Sequence, residues 1–386
     1  MKSKHLFFIG IVFVMCNAFI VTRHDISDEE YINYGKKGFE SLAVFEDGNG
    51  TLIDKQWVLT ARHIADDQKP GSIVTINGTE YKVEKIVLYP QKPTDDLFKK
   101  KDLGLIKLNQ PVSGVAPVKY IKKSPEIGSI LYLAGNGDVG NGKTGPTNKD
   151  KKIRAATNTL DSLKDHFISF VFDSPTSGKA TKLEGTPGPG DSGGPAYIKE
   201  NGTLVLAGVS SFEVVENRQQ QGRYGVRNYY PNVSLFADWI ESTIKGERYY
   251  KTIMDGKEIV SIKRADGSYY LGVDGKKAVV DDLIKYGERV IQEYNDIEAK
   301  ETAWKQRQPD MNDPQMQFAF YLETLMKEAG IKKSLREATI SISTEKFTVE
   351  GKEMPENLKS KALKKFEELF KQPLGNNQIN LRPRNN

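Results

Sequence analysis

The six residues Gly190-Asp191-Ser192-Gly193-Gly194-Pro195 constrain this chain more than any other stretch. Three glycines and a proline around one serine make a sharp turn that few side chains tolerate. Such a turn exposes the serine hydroxyl and aims neighbouring backbone N–H groups at one point. Acyl transfer requires both, a presented nucleophile and donors for the developing oxyanion. A serine hydroxyl is a poor nucleophile alone, so a base must come from elsewhere in the chain.

The chain has four histidines, His5, His24, His63 and His166. His63 closes the run Trp57-Val58-Leu59-Thr60-Ala61-Arg62-His63, just after Gly50-Thr51-Leu52-Ile53. Asp102 stands at the mouth of another apolar run, Leu103-Gly104-Leu105-Ile106-Lys107-Leu108. Base, acid and nucleophile follow in the order His, Asp, Ser, one of the known triad orders. Alone, each piece has a bland reading: a core histidine, a loop cap, a turn. Together they point to Ser192 as nucleophile, His63 as base and Asp102 as its orienter. His24, in Arg23-His24-Asp25, and His166, in Asp165-His166-Phe167, are read as structural.

Over residues 20–245 the chain resembles the trypsin-like serine proteases. The resemblance rests on GTLI and WVLTARH around His63, DLGLIKL from Asp102, GDSGGP around Ser192, Ser211-Phe212, and the ending from Tyr230 to Ile240. Ala134-Gly135-Asn136-Gly137-Asp138 and Arg154-Ala155-Ala156-Thr157-Asn158-Thr159 are similar to exported bacterial members. It implies an all-β domain of two six-stranded antiparallel β-barrels with a C-terminal helix and the active site in the cleft between them. His63 and Asp102 then come from the first barrel and Ser192 from the second. It also implies an oxyanion hole from the N–H groups of Gly190 and Ser192, and a serine, Ser211, that supports Asp102. The implied specificity pocket holds Thr186, Ser211, Phe212 and Glu213. Thr186 stands six residues before the nucleophile, where trypsin has an acid, so tryptic cleavage is not expected. Glu213 either replaces that charge at the pocket mouth or narrows the entrance.

Two further departures concern activation and the base. In the family, the residue matching Asp191 pairs with a newly made α-amino group. No Arg-Ile-Val-Gly-Gly site exists here, but Ile20 and Val21 lie 43 residues before His63, close to the family distance. Trimming to Ile20, or an internal partner such as an arginine, would serve Asp191. Arg62 replaces the small residue usual before the histidine. It would lower the histidine pKa if turned inward; solvent is its expected direction.

A net charge of +5 is a mild excess, and no dense Lys/Arg run interleaves with aromatics, which argues against nucleic-acid binding. The triad reading calls for no metal and no cofactor, and for a protein or peptide substrate; oligomeric state is left open. Residues 1–18 read as a signal peptide, with a basic start, an apolar run and small residues before a cut after Ala18. An uncleaved anchor and lipid attachment at Cys16 are the alternatives; Asn17 interrupts the run and Met15 fits a lipoprotein signal poorly. The expected location is secreted or periplasmic, with no stable membrane span after processing. Cys16 is the only cysteine. Gly50 and Ile64 stand where the family's cysteine pair around the histidine falls, so packing alone must hold the core. Four Asn-X-Ser/Thr sequons occur, at Asn49, Asn77, Asn201 and Asn232. The three Asn-Gly-Thr cases, at Asn49, Asn77 and Asn201, are read as hairpin turns.

The protease domain is placed at 19–245, a C-terminal α+β region at 246–375, and a disordered tail at 376–386. Strands are expected over 258–263 and 268–273. Leu283, Tyr286, Val290 and Tyr294 have helical spacing, as do Phe318, Leu322, Leu325 and Met326. The repeated Asp255-Gly256-Lys257, Asp274-Gly275-Lys276 and Glu350-Gly351-Lys352 are either a duplicated strand–turn–helix unit or simple turns. The whole reads as an exported serine endopeptidase. The alternative is a latent or non-catalytic protease fold that binds partners through its C-terminal region.

Overall fold

Short runs of alternating apolar and polar residues, broken by Asn-Gly pairs, build most of the first 245 residues as strands. The computed structural model describes residues 20–381, apart from 93, 95, 149, 216–219, 308–313, 332–337, 372 and 375–378. The expected leader, with Cys16, lies outside the described residues. Strand β1 (Val21–Thr22) and helix α1 (Asp28–Gly35) open the described chain. A barrel follows from β2 (Leu42–Val44), β3 (Asn49–Asp54), β4 (Trp57–Thr60), β5 (Ile73–Ile76), β6 (Thr79–Leu88) and β7 (Gly104–Leu108), with helix α2 (Arg62–Asp66) after β4. It closes in the order β2-β3-β4-β7-β6-β5. Asn77 and Gly78 turn β5 into β6 with φ of 46° and 77°, the paired positive values of a type I′ hairpin. Gly50 packs so closely that a β-carbon would meet Val58 Cγ1 at 2.6 Å, and Ile64 is buried in the same core.

The second half contains β8 (Ile130–Gly135), β9 (Val139–Asn141), β10 (Gly145–Asn148), β11 (Arg154–Thr159), β12 (Ser162–Lys164), β13 (Phe167–Val171), β14 (Gly185–Thr186), β15 (Pro195–Glu200), β16 (Thr203–Val209), β17 (Phe212–Val214) and β18 (Arg227–Pro231). These form three four-stranded sheets, β11-β8-β15-β16, β12-β13-β18-β17 and β10-β9-β1-β14. Leu131, Leu133, Phe170, Leu206 and Tyr230 join the residues of the first barrel in one apolar core. Buried Arg154 pairs with Asp28 at 2.6 Å and Asp150 at 2.8 Å, tying α1 to β11. Tyr230 and Pro231 still belong to β18, so the closing helix begins later than its sequence texture implies. Asn232 caps it by accepting the Ser234 N–H, a 3-10 turn covers Val233–Phe236, and α3 (Ala237–Ile244) buries Trp239 and Ile240.

The chain divides into compact units Met1–Ile297 and Glu298–Asn386. The barrel unit therefore extends well past residue 245. Strands β19 (Arg248–Met254), β20 (Lys257–Lys263), β21 (Tyr269–Val273) and β22 (Lys276–Lys277) form a meander, followed by helix α4 (Val280–Arg307). Tyr249 enters the same core as Trp239, and Tyr286 and Val290 of α4 cover the meander. The charge-rich texture after 245 reflects a half-exposed sheet attached to the protease, not a break in the core. The second unit packs α5 (Pro314–Glu328) and α6 (Glu356–Phe370) on a sheet β25-β24-β23-β26. Its strands are β23 (Ile340–Ile342), β24 (Phe347–Val349), β25 (Lys352–Glu353) and β26 (Ile379–Leu381). Ile379–Leu381 pair with β23 although they fall in the tail expected to be disordered; their alternating apolar residues complete a sheet edge. The rest of that tail lies outside the described residues.

The Asp-Gly-Lys recurrence has a local cause. Asp255, Asp274 and Glu350 have φ of 50°, 49° and 53°, each followed by a positive-φ glycine, so all three are type I′ hairpin turns. The last two precede α4 and α6. Among the described residues no helix is long and apolar enough to cross a membrane.

Candidate active site

Strand β4 ends at Thr60, and Ala61, extended at φ −67° and ψ 147°, leads into α2. That junction presents His63. Its ring Nδ1 lies 2.8 Å from Asp102 Oδ2, and its backbone N–H donates to Asp102 Oδ1 at 3.0 Å. The Ser211 hydroxyl donates to the same Oδ2 at 2.6 Å. Asp102 is 5% exposed, just ahead of β7. Burial opposes its charge, but the His63 ring and the Ser211 hydroxyl outweigh that and hold its pKa well below the usual carboxylate range. Burial likewise opposes a charged His63; the Asp102 charge and hydrogen bond overcome it, and the imidazole pKa is raised. Arg62 is half-buried and donates to the Tyr89 carbonyl at 2.6 Å, not turned to solvent as expected.

Ser192 sits on a turn with Gly190 at φ 89° and Gly193 at φ 78°, values only glycine adopts freely. The Gly193 N–H donates to the Ser210 carbonyl and the Gly194 N–H to the Asp191 carbonyl, while Ser210 N–H returns to Gly194. The turn is pressed onto the first barrel: a β-carbon on Gly193 would overlap the Thr60 hydroxyl and the Asn49 carbonyl. Thr60 and Ala61 lead directly to His63, so the serine turn and the histidine share one end of that barrel.

Sequence reasoning missed the residue that joins these parts. Asn49 was expected in a hairpin turn, but it is fully buried at the start of β3. Its side-chain amide donates to the Gly190 carbonyl at 2.7 Å, and its backbone N–H to the Ser192 carbonyl at 2.8 Å. The following glycine imitates a turn signal; only the partner across the cleft reveals the role. Asn77 and Asn201 are turns as read, the latter with Gly202 at φ 50° and 81°.

Asp191 is buried, and burial pushes its carboxyl up to about 7 against the N–H groups of Gly188 and Gly137, each at 3.2 Å. No cation pairs with it among the described residues, and Arg154 is committed to Asp28 and Asp150. Gly135 is required beside it, since a β-carbon there would overlap its Oδ1. Ile20 is 1% exposed, and Val21 pairs with Gly140 and Thr186.

Of the residues expected at the specificity pocket, Thr186 lies on β14 and Phe212 and Glu213 on β17, in two different sheets, with Ser211 just ahead of β17. Thr186 is fully buried, its Oγ1 accepting from the Asn228 amide at 2.6 Å. Phe212 stacks on Tyr229 at 5.0 Å, and Phe98, another residue unforeseen in sequence, meets both rings edge-on. Glu213 accepts the Gly222 N–H at 3.2 Å through Oε2, and burial pushes its carboxyl up to about 7. His24 bonds Tyr224 Oη at 2.8 Å and His166 bonds the Lys100 carbonyl at 3.0 Å. Among the described residues no cluster of His, Cys, Asp and Glu could hold a metal.

A His–Asp pair on a closed barrel, with a glycine-bounded serine turn against it, is the architecture of a serine peptidase. The Trypsin family model matches residues 37–240, and the chain belongs to this family, as a serine endopeptidase. It is 28% identical over 211 residues to chymotrypsin-like elastase family member 1 of Homo sapiens, covering 50% of this chain and 80% of that one. It is 30% identical to a venom plasminogen activator of Agkistrodon piscivorus leucostoma (53% and 83% covered) and 32% identical to the platelet-aggregating proteinase PA-BJ of Bothrops jararaca (51% and 84%). Among solved structures, neuropsin, a serine protease expressed in the limbic system of mouse brain, aligns with a TM-score of 0.44 and 19% identity, covering 58% of this chain and 98% of that one.

Proposed function

We propose that the chain is an exported serine endopeptidase in which Ser192, His63 and Asp102 act as the catalytic triad. The carrying observation is Asp102, which takes the His63 ring, the His63 backbone and Ser211 at once. His63 takes the Ser192 proton as the oxygen attacks the peptide carbonyl, then returns it to the departing amine. Asp102 holds the imidazole tautomer and stabilises the imidazolium. The Gly193 N–H goes to the Ser210 carbonyl and the Gly194 N–H to the Asp191 carbonyl, which leaves those of Gly190 and Ser192 for the oxyanion. The acyl-enzyme is then hydrolysed by the same groups in reverse roles. The complete donor set on Asp102 favours this over a latent binding fold.

Export by residues 1–18 accords with the venom proteins among the relatives. Trimming to Ile20 supplies Asp191 with an α-ammonium. It is supported by the burial of Ile20 and by the pairing of Val21 with Gly140 and Thr186, which flank the Gly137 and Gly188 donors to Asp191. N-terminal sequencing of the active form tests this: activity from a terminus far from Ile20 contradicts it. For the triad, casein hydrolysis by Ser192→Ala and His63→Ala is expected to fall by about a million-fold each; retained hydrolysis contradicts the assignment.

A further inference from the structure

The connection from β6 to β7 ends at Asp102 and is gripped from outside at both of its legs. Its base is closed within the loop: the Tyr89 N–H donates to the Leu103 carbonyl and the Lys101 N–H to Gln91 Oε1 at 2.7 Å. Beyond that base, Lys92 Nζ on the first leg pairs with Glu293 Oε1 of α4 at 3.1 Å. On the second leg, the Lys100 carbonyl accepts from His166 Nε2 at 3.0 Å. Phe98 stands between these two clasps. It is half-buried and meets Phe212 edge-on at 5.5 Å and Tyr229 at 5.1 Å. Phe212 follows Ser211, whose hydroxyl rests on Asp102, so this aromatic face adjoins the buried acid.

Glu293 is fixed before Lys92 reaches it. The same Oε1 accepts from the Tyr250 hydroxyl at 2.5 Å and the Thr252 hydroxyl at 2.8 Å, both on β19, and the side chain is only 19% exposed. Burial opposes its charge; the two hydroxyls and Lys92 outweigh that and hold the carboxyl below its ordinary pKa. An exposed ion pair loses most of its worth to the ordering of two long side chains. Here one partner is already ordered, so the pair restrains the Lys92 leg. Both β19 and α4 lie beyond residues 37–240, the stretch matched to the Trypsin family.

We propose that Glu293 is a positioning residue of this peptidase: through Lys92 it steadies the loop that presents Phe98 to the substrate chain, so that the meander and α4 set how firmly a peptide is bound. The proposal rests on the serine-endopeptidase reading above. Asp102 keeps its own hold on His63 and Ser211. Loosening the Lys92 leg therefore weakens substrate binding and leaves the bond-breaking groups in place.

The test measures kcat and KM of the full chain on one casein-derived peptide that it cleaves. The rate at which a fluorophosphonate labels Ser192 reports the chemistry alone. Lys92→Met spares the Tyr250 and Thr252 bonds to Glu293; it and Glu293→Gln are each expected to raise KM by about threefold, with kcat and labelling unmoved. Lys92→Arg keeps the ion pair and restores the parent KM. In a Phe98→Ala background, Lys92→Met is expected to add no further rise, because both changes act through one ring. An unmoved KM in Lys92→Met, a full further rise in the Phe98→Ala background, or labelling slowed in step with peptide cleavage overturns the role of Glu293 and leaves the peptidase reading standing. A parent chain that neither labels nor cleaves casein overturns the peptidase reading and this proposal with it.

Discussion

The Ser211 hydroxyl lies 2.6 Å from Asp102 Oδ2, the same oxygen that the His63 ring approaches at 2.8 Å. Two donors from different halves of the domain thus converge on one buried carboxylate atom. A hydrogen bond to a charged group contributes about 1.5–3 kcal/mol. Ser211→Ala is expected to keep the fold and lower kcat/KM by about tenfold. Steady-state kinetics with a denaturation curve checks it; unchanged kinetics contradict the role of Ser211.

Asp102→Asn removes the charge that raises the His63 pKa. Activity needs neutral His63, so kcat/KM of the parent chain rises with pH, with a midpoint above the ordinary histidine value of 6.5. In Asp102→Asn, NMR titration of the ring is expected to show a lower pKa, and kcat to fall by about ten-thousandfold, the size known for loss of such a carboxylate. The linkage has opposite signs for the pair. The depressed Asp102 pKa adds stability above its unfolded value of about 4, lost as pH falls through the folded value. The raised His63 pKa adds stability below about 6.5, lost as pH rises through the folded value. An unmoved or raised imidazole pKa in Asp102→Asn refutes this coupling.

Asn49→Ala removes the donor to the Gly190 carbonyl and leaves that buried acceptor unpaired. Stability is expected to drop by about 1–3 kcal/mol. Because the lost bond positions the serine turn, kcat is expected to fall more than KM rises. Chemical denaturation and kinetics measure the two; equal effects on a distant surface control variant contradict a positioning role.

The meander β19–β22 and α4 brace the protease. Tyr249 joins its core, and Glu293 of α4 accepts from Tyr250 and Thr252 while pairing with Lys92 in the loop that also carries Phe98. A chain ending at Arg307 is expected to keep peptidase activity, and one ending at Ile244 to melt several degrees lower, since about 1 kcal/mol shifts the midpoint by about 2–4 °C at this size. Equal melting of the two contradicts the bracing.

Local chemistry decided what the sequence could reveal. Turn residues with positive φ, such as Asn77 and Gly78, are legible because few residues adopt that conformation. His63, Asp102 and Ser192 stand out because their motifs are local. Asn49 was hidden because its partners, Gly190 and Ser192, lie across the cleft. Residue 245 read as a boundary because composition changes there, yet burial of Tyr249 carries the unit on to Ile297. Nothing local marks Asn228 as the donor to Thr186, which lies in another sheet.

Covalent capture of the nucleophile tests the central claim most directly. The full chain is treated with a fluorophosphonate near neutral pH, digested, and the modified peptide sequenced by mass spectrometry. A single adduct on Ser192, formed far more slowly in His63→Ala, is the predicted result. An adduct on another residue, or labelling of Ser192 at the same rate without His63, would contradict the account.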